Sequence, residues 1–172
     1  VTQKMRDRAE DMNLSLYDVI KIAALVERET AVGDERPIIA DVYLDRYDQG
    51  WTLDADPTVQ YIIGEPGDWW PVPTADDLEE TADNSYNLYR NQGLTPTPIA
   101  NPGYYSILAV LSPADSPFMF FTARLDGSDR HLFAASNDEQ SANQALVASG
   151  DDMSEYDDAY IEYLPSGTDW AE

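Results

Sequence analysis

The chain has 172 residues, and 33 acidic against 10 basic side chains give it a formal net charge of -23. Such a surface repels nucleic acid and anionic lipid, whose binding depends on Lys and Arg, so neither is expected as a partner. The absence of cysteine excludes disulfides and thiolate metal sites. With a single histidine and scattered carboxylates, no metal or other cofactor is predicted.

The N-terminal part predicts two helices. Residues 1–13 form a charged helical lead-in without an initiating Met, as expected of a piece from a longer protein. Ser15, followed three residues later by Asp18, has the pattern of a capping box and begins a second helix that runs to about Thr30. Because that helix is apolar around most of its circumference, it is predicted to be the buried central helix.

Three shorter segments follow. A helix is predicted from the acidic and proline-containing start at residues 34–37 to Gly50, and another from residue 56 to Gly64. Residues 65–84 are loop-rich with a short acidic helical turn, and residues 93–103 are dense in Pro and Gly, which is typical of a segment lying over a cleft.

The C-terminal part of the sequence predicts both helices and strands. A helix over residues 104–111 precedes two strands, at residues 118–123 and 130–134, joined by a turn as a hairpin. A further helix is expected around residues 139–148, and residues 149–172 form an acidic tail. Helices first and a hairpin late indicate an α+β fold, with the functional domain spanning residues 14–148.

Glu27 is the first candidate for chemistry. It continues an apolar face of the central helix, and burial of a carboxyl raises its pKa, as a general acid requires. The alternative is a structural ion pair with Arg28, Arg36 or Arg46. Glu29 lies about 200° further around the helix, so the two glutamates cannot both point at one bond.

Three other polar residues stand out. Asp56, which precedes a proline, is expected to cap the following helix, whereas Asp54 is either a substrate ligand or an exposed loop residue. His131 is the only histidine, and a satisfied structural role is favoured over catalysis. Loop aromatics could stack on sugar rings; they are Tyr61, Trp69, Trp70, Tyr86, Tyr89 and Tyr105. The residues by themselves indicate a cleft enzyme or a glycan binder.

Ordered segments of the sequence resemble the YceG-like (MltG-type) family of endolytic peptidoglycan transglycosylases. Residues 24–30, A-L-V-E-R-E-T, are similar to the family's A-S-I-V-E-K-E-T helix. Residues 53–61 resemble L-Q-x-D-P-T-V-x-Y, and residues 93–103 resemble G-L-P-P-G-P-I-x-N-P-G. Similar matches occur at residues 35–46, 85–89, 118–121 and 131–133.

The resemblance implies that Glu27, matched to the first family glutamate, is the single acid/base. It would protonate the bond between N-acetylmuramic acid and N-acetylglucosamine, and the muramyl C6 hydroxyl would attack to leave a 1,6-anhydro end. Substrate contacts are expected at Glu29, Arg36, Arg46, Asp54, Asp56, Thr58, Tyr61, Tyr86, Asn87, Tyr89, Asn101 and His131.

The resemblance also implies a cellular location and binding partners. The family's upstream LysM-like module and membrane helix would place the catalytic part at the extracytoplasmic face of the cell membrane, with peptidoglycan strands as substrate and peptidoglycan synthases (penicillin-binding proteins) as partners. The sequence departs from the family pattern at Asp45, Asp54, Leu88, Thr95, Thr97 and at residues 140–141, and two alternatives to the transglycosylase remain. One is a non-catalytic glycan-binding module, and the other is a hydrolase that uses Asp54 or Asp56 to activate water.

Overall fold

A computed structural model describes residues 2–166 of the chain. The described part holds seven α-helices, two β-strands and two short 3-10 helices. In order they are α1 (Gln3–Asp11), α2 (Leu16–Glu29), α3 (Arg36–Asp48), α4 (Asp56–Ile63), α5 (Ala75–Glu80), α6 (Tyr104–Leu111), β1 (Phe120–Ala123), β2 (His131–Ala134), α7 (Asn137–Ser149) and the 3-10 turns Ser154–Tyr156 and Ile161–Tyr163. The predicted α+β class is confirmed.

The core is a packed layer formed by α2, α3 and α6. Helix α2 begins at the predicted capping box, in which the Asp18 backbone N–H donates to Ser15 Oγ at 3.1 Å. Its five consecutive residues Ile22–Val26 are each at most 1% exposed, so this helix is buried on every side, as its sequence predicts. Burying each large aliphatic side chain stabilises the fold by roughly 1.5–3 kcal/mol.

The hairpin closes one side of this helical layer. Strand β1 pairs antiparallel with β2, with Phe120 opposite Ala134 and Ala123 opposite His131. Helix α7 packs against both strands. Arg46 of α3 attaches the entry to β1 to the helical layer, because its Nε donates to the carbonyl of Met119 at 2.6 Å.

The segment that follows α7 packs back onto the hairpin. The rings of Tyr160 and Tyr163 meet Phe118 edge-on, with centroids 5.4 and 5.0 Å away. The Phe133 backbone N–H donates to the Tyr160 hydroxyl at 3.1 Å, and Asp157 pairs with Arg124 at 2.7 Å. The predicted tail therefore packs against the core as far as Leu164, while its residues 167–172 lie outside the described residues. Among residues 2–166, no helix combines the length and hydrophobicity needed to cross a bilayer.

Candidate active site

Glu29, the last residue of α2, lies where two cavities meet. The larger cavity has a volume of about 460 Å³ and is lined by Glu29, Arg46, Asp54, Asp56, Tyr89, Phe120, Phe121, Thr122, Ala123, His131, Gln140 and Gln144. A neighbouring cavity of about 330 Å³ shares Glu29, Ala123 and His131 with it and extends along the hairpin turn to Arg124 and Arg130. The two cavities adjoin at these shared residues, and we call the pair the Glu29 cleft.

The Glu29 carboxyl is set up to hold a proton near neutral pH. Burial raises its pKa to about 7, and the neighbouring Asp56 carboxylate acts in the same direction. The Tyr43 hydroxyl, which donates a hydrogen bond to Oε1, opposes this shift, as do His131 and Arg28. Desolvation is the largest of these effects, and it moves the pKa of Glu29 into the range that suits a general acid.

Glu27 faces the opposite side of α2 and lines neither cavity. Its Oε2 accepts hydrogen bonds from Ser106 Oγ at 2.6 Å and from the Gly103 backbone N–H at 3.1 Å, at the start of α6. The hydrogen bond from Ser106 is the main reason why the pKa of Glu27 is lowered. The raised pKa predicted for Glu27 is therefore wrong, because the buried face of α2 meets donors that favour the carboxylate.

Gly103 allows the close approach of α6 to Glu27. A Cβ at this position would lie 3.3 Å from Glu27 Oε2, closer than ordinary van der Waals contact. The glycine therefore lets its backbone N–H reach the carboxylate, and the contact joins α2 to the first turn of α6.

Arg46 and Asp54 form part of the cleft wall. The buried Arg46 guanidinium donates to the carbonyl of Leu53 at 3.2 Å and to Asp54 Oδ2 at 3.0 Å, and it lies over the Phe120 ring. Asp54 itself is exposed and has a left-handed φ of 50°. Arg46 thus fixes the loop that presents the Asp54 carboxylate to the cleft.

Asp56 faces the same cleft instead of capping α4. The N-cap is Ala55, and no side chain caps the helix, so the capping role predicted for Asp56 is wrong. Asp56 Oδ1 accepts a hydrogen bond from the Tyr89 hydroxyl at 2.6 Å. Thr58 is fully buried, where its Oγ1 donates to the carbonyl of Ala55 at 2.7 Å, so it supports the loop and is not positioned to contact substrate.

His131 begins β2 and is held by a buried carboxylate. Its Nδ1 lies 2.8 Å from Glu35 Oε2, and its backbone N–H donates to Glu35 Oε1 at 3.0 Å. Glu35 is 3% exposed and His131 6% exposed. This pair orients the imidazole at the junction of the two cavities, beside Glu29.

The remaining predicted contact residues lie outside the Glu29 cleft. Tyr61 and Tyr86 stack with ring centroids 5.1 Å apart. Asn87 is fully buried and donates to Thr81 Oγ1 at 2.9 Å, which makes it a loop anchor. Arg36 acts electrostatically on Glu27, and Asn101 is exposed.

The structure thus brings six of the predicted residues together, namely Glu29, Arg46, Asp54, Asp56, Tyr89 and His131. Sequence reasoning missed Tyr43 and Glu35, which lie on or beside α3 and reach the site only through tertiary contacts. Within residues 2–166, no three acidic or histidine side chains are placed so that they could hold a metal ion.

Comparison with known proteins identifies the family and several relatives of the chain. The model of the YceG-like family matches residues 1–146. The endolytic murein transglycosylase of Bacillus subtilis is 37% identical over 114 residues, which cover 66% of this chain and 30% of that protein. The enzyme of the same name from Streptococcus pneumoniae strain D39 is 30% identical over 129 residues, 74% of this chain and 23% of that protein.

A solved structure also points to the YceG-like family. A yceG-like protein of Listeria monocytogenes superposes with a TM-score of 0.70 at 31% sequence identity, covering 81% of this chain and 43% of that chain. The chain spans less than a third of the length of the curated relatives that it matches. The predicted family is confirmed, and the chain belongs to the YceG-like family.

Proposed function

We propose that this chain is the catalytic module of an endolytic murein transglycosylase, with Glu29 as its single acid/base. Two relatives of the same family carry that name. The observation that supports the choice of Glu29 is its place at the junction of two cavities with a pKa of about 7. This proposal replaces the sequence-based choice of Glu27, whose carboxylate is bound to α6.

In the proposed reaction Glu29 first donates a proton and then takes one back. Protonated Glu29 donates its proton to the glycosidic oxygen between N-acetylmuramic acid and N-acetylglucosamine, and the C1–O bond breaks. The resulting carboxylate takes the proton from the muramyl C6 hydroxyl, whose oxygen then bonds to C1 and closes the 1,6-anhydro ring. Glu29 ends protonated, and no water is consumed.

The cleft offers binding groups next to Glu29. Because Glu29 lines both cavities, the sugar units that flank the scissile bond can be bound beside it. The larger cavity offers the carboxylates of Asp54 and Asp56 and the ring of Phe120. Hydrogen bonds to hydroxyl and acetamido groups, together with contacts between sugar rings and aromatic faces, would hold a neutral sugar there.

The experiment is mass spectrometry of the products released from purified peptidoglycan by the wild type, Glu29→Gln and Glu27→Gln. We expect anhydromuramyl ends, lighter than reducing ends by one water, from the wild type and Glu27→Gln but not from Glu29→Gln. Turnover by Glu29→Gln together with loss of activity in correctly folded Glu27→Gln would return the acid role to Glu27. Circular dichroism of both variants controls for folding.

A hydrolase is the second candidate function. The observation that favours it is that Asp54 and Asp56 line the same cavity as Glu29, where either could activate a water molecule. Reducing ends in place of anhydro ends would establish this alternative. Binding of glycan strands without any product would instead support the non-catalytic module.

The substrate determines the proposed location. Murein lies outside the cytoplasmic membrane, so the module would act at the extracytoplasmic face, where penicillin-binding proteins that build the polymer are its expected partners. Co-purification of the natural full-length protein with such synthases from solubilised membranes, compared with a matched membrane protein, tests this part of the proposal separately.

A further inference from the structure

Tyr43 is the one side chain that hydrogen-bonds directly to the Glu29 carboxyl in the described part of the chain. It is a residue of α3, and its side chain is almost completely buried, at 1% exposure. The ring is also held from the hairpin side, because Phe121 meets it edge-on with centroids 5.8 Å apart. Tyr43 therefore has little freedom to turn its hydroxyl elsewhere.

The direction of this hydrogen bond limits where the Glu29 proton can lie. Within residues 2–166 the Tyr43 hydroxyl has no acceptor other than Glu29 Oε1. A phenol has one proton to donate, and a protonated carboxyl carries its own proton on one of two oxygens. With Oε1 occupied by the hydrogen bond from Tyr43, Oε2 is the oxygen left free to carry the acidic proton of Glu29.

We propose that Tyr43 is a positioning residue that directs the transferable proton of Glu29 to Oε2 and stabilises the carboxylate left after proton donation. This inference rests on the proposed function of Glu29. A hydrogen bond to the ionised form favours that form, so Tyr43 counteracts the burial that keeps the carboxyl protonated. The same carboxylate must next accept the C6 hydroxyl proton, and Tyr43 holds it ready for that step.

Other charged or titratable groups also face Glu29, and a substitution of Tyr43 alters none of them chemically. They are Arg28 on its own helix, Asp56 at the start of α4, His131 on β2, and Arg46, Asp54 and Tyr89, which line the same cavity. His131 and Arg28 favour the carboxylate, whereas Asp56 disfavours it. Replacing the Tyr43 hydroxyl by hydrogen therefore removes one stabilising contact and leaves the remaining charges unchanged.

The test compares the pH dependence of cleavage for the wild type, Tyr43→Phe and Tyr47→Phe. Tyr47→Phe is the matched control, because it removes a hydroxyl from the same helix at a partly buried residue that does not contact Glu29. We expect Tyr43→Phe to move the alkaline limb of the profile to higher pH by about one unit and to lower kcat roughly tenfold. The control should keep the wild-type profile.

A second measurement is independent of activity. The side-chain carboxyl ¹³C resonance of Glu29, assigned by comparison with Glu29→Gln, is titrated in the wild type and in Tyr43→Phe. We expect a higher midpoint in Tyr43→Phe. An unchanged midpoint, or a lower rate without movement of the alkaline limb, would show that Tyr43 only packs against its neighbours and would overturn the inference. If Glu29→Gln remained active, the proposed function would fail, while the titration would still decide whether Tyr43 controls the carboxyl.

Discussion

Glu27 and Glu29 lie about 200° apart around α2, and their pKa values are shifted in opposite directions. For Glu27, two donors from α6 stabilise the charge. For Glu29, burial is the largest effect, and one phenol hydroxyl only partly offsets it. The difference between the two residues depends on which groups the neighbouring elements bring to each carboxylate.

The ionisation of Glu29 should destabilise the folded protein. Its folded pKa of about 7 is above the ordinary 4.5, so its favourable contribution is complete below about pH 4.5 and is lost as the pH rises towards 7. We compare the unfolding free energy of Glu29→Gln with that of the wild type at about pH 5 and at about pH 8. The difference should change in favour of the variant at the higher pH, by at most roughly 3 kcal/mol. Urea denaturation at both pH values measures the change, and a constant difference would contradict the raised pKa.

Glu27 should show the reverse dependence. Its lowered pKa means that its contribution is present above the ordinary 4.5 and is lost as the pH falls through the folded pKa. We expect Glu27→Gln to be less stable than the wild type at neutral pH by about 1–2 kcal/mol, because it loses a charge-assisted hydrogen bond. The difference should diminish in acid. Denaturation series at neutral and acidic pH test this, with Glu29→Gln as the comparison of opposite sign.

At the scale of elements, local patterns were a good guide. The capping box at Ser15 and the glycine after α3 place the ends of two helices close to where the structure has them. Residues 104–111 and the two strands are also found within two residues of their predicted positions. These features depend on neighbours in sequence, which is why sequence analysis could find them.

The site was predictable only in part. Asp54, Asp56 and His131 were singled out because polar residues in such positions can carry chemistry, and all three line the cleft. The choice between Glu27 and Glu29 required knowledge of α6, whose Ser106 lies 79 residues away along the chain. Tyr43 gave no sequence signal, because its hydroxyl reaches Glu29 only after α3 packs against α2.

The segment after α7 should contribute to stability. Met153 is buried, the rings of Tyr160 and Tyr163 pack on Phe118, and Asp157 pairs with the buried Arg124. We expect a chain ending at residue 150 to melt at least about 5 °C below a chain ending at residue 166, since it loses this aromatic contact area. Calorimetry of the two chains decides the point. Equal melting temperatures would mean that residues 151–166 add nothing to the core, and the predicted division of domain and tail after residue 148 would then gain support.

At the scale of the whole molecule, the net charge of -23 bears on how the proposed substrate is captured. Murein carries carboxylates on its peptide stems, so an acidic protein approaches it against repulsion. On the proposed function, binding would therefore depend on short-range contacts in the cleft, including those to the Asp54 and Asp56 carboxylates and to Phe120.

On the proposed function, added salt should therefore strengthen binding of the polymer. Screening shortens the range of repulsion to about 10 Å at 0.1 M ionic strength and further above it. We expect the KM for peptidoglycan to fall a few-fold between low and moderate salt, with kcat little changed. Sucrose at matched osmolality is the control, and a KM that rose with salt would point to attractive ionic contacts with the polymer.

The contacts that close the cleft join distant parts of the chain. Glu35 and His131 are 96 residues apart, and Arg46 and Met119 are 73 residues apart. Contacts of large sequence separation form only after the intervening loop has been closed, and they slow folding. On the proposed function, a nascent chain that has not yet emerged past the hairpin lacks His131 and part of the cleft wall, so it could not cut a glycan strand. Catalytic competence would then arise only when synthesis of the domain is nearly finished.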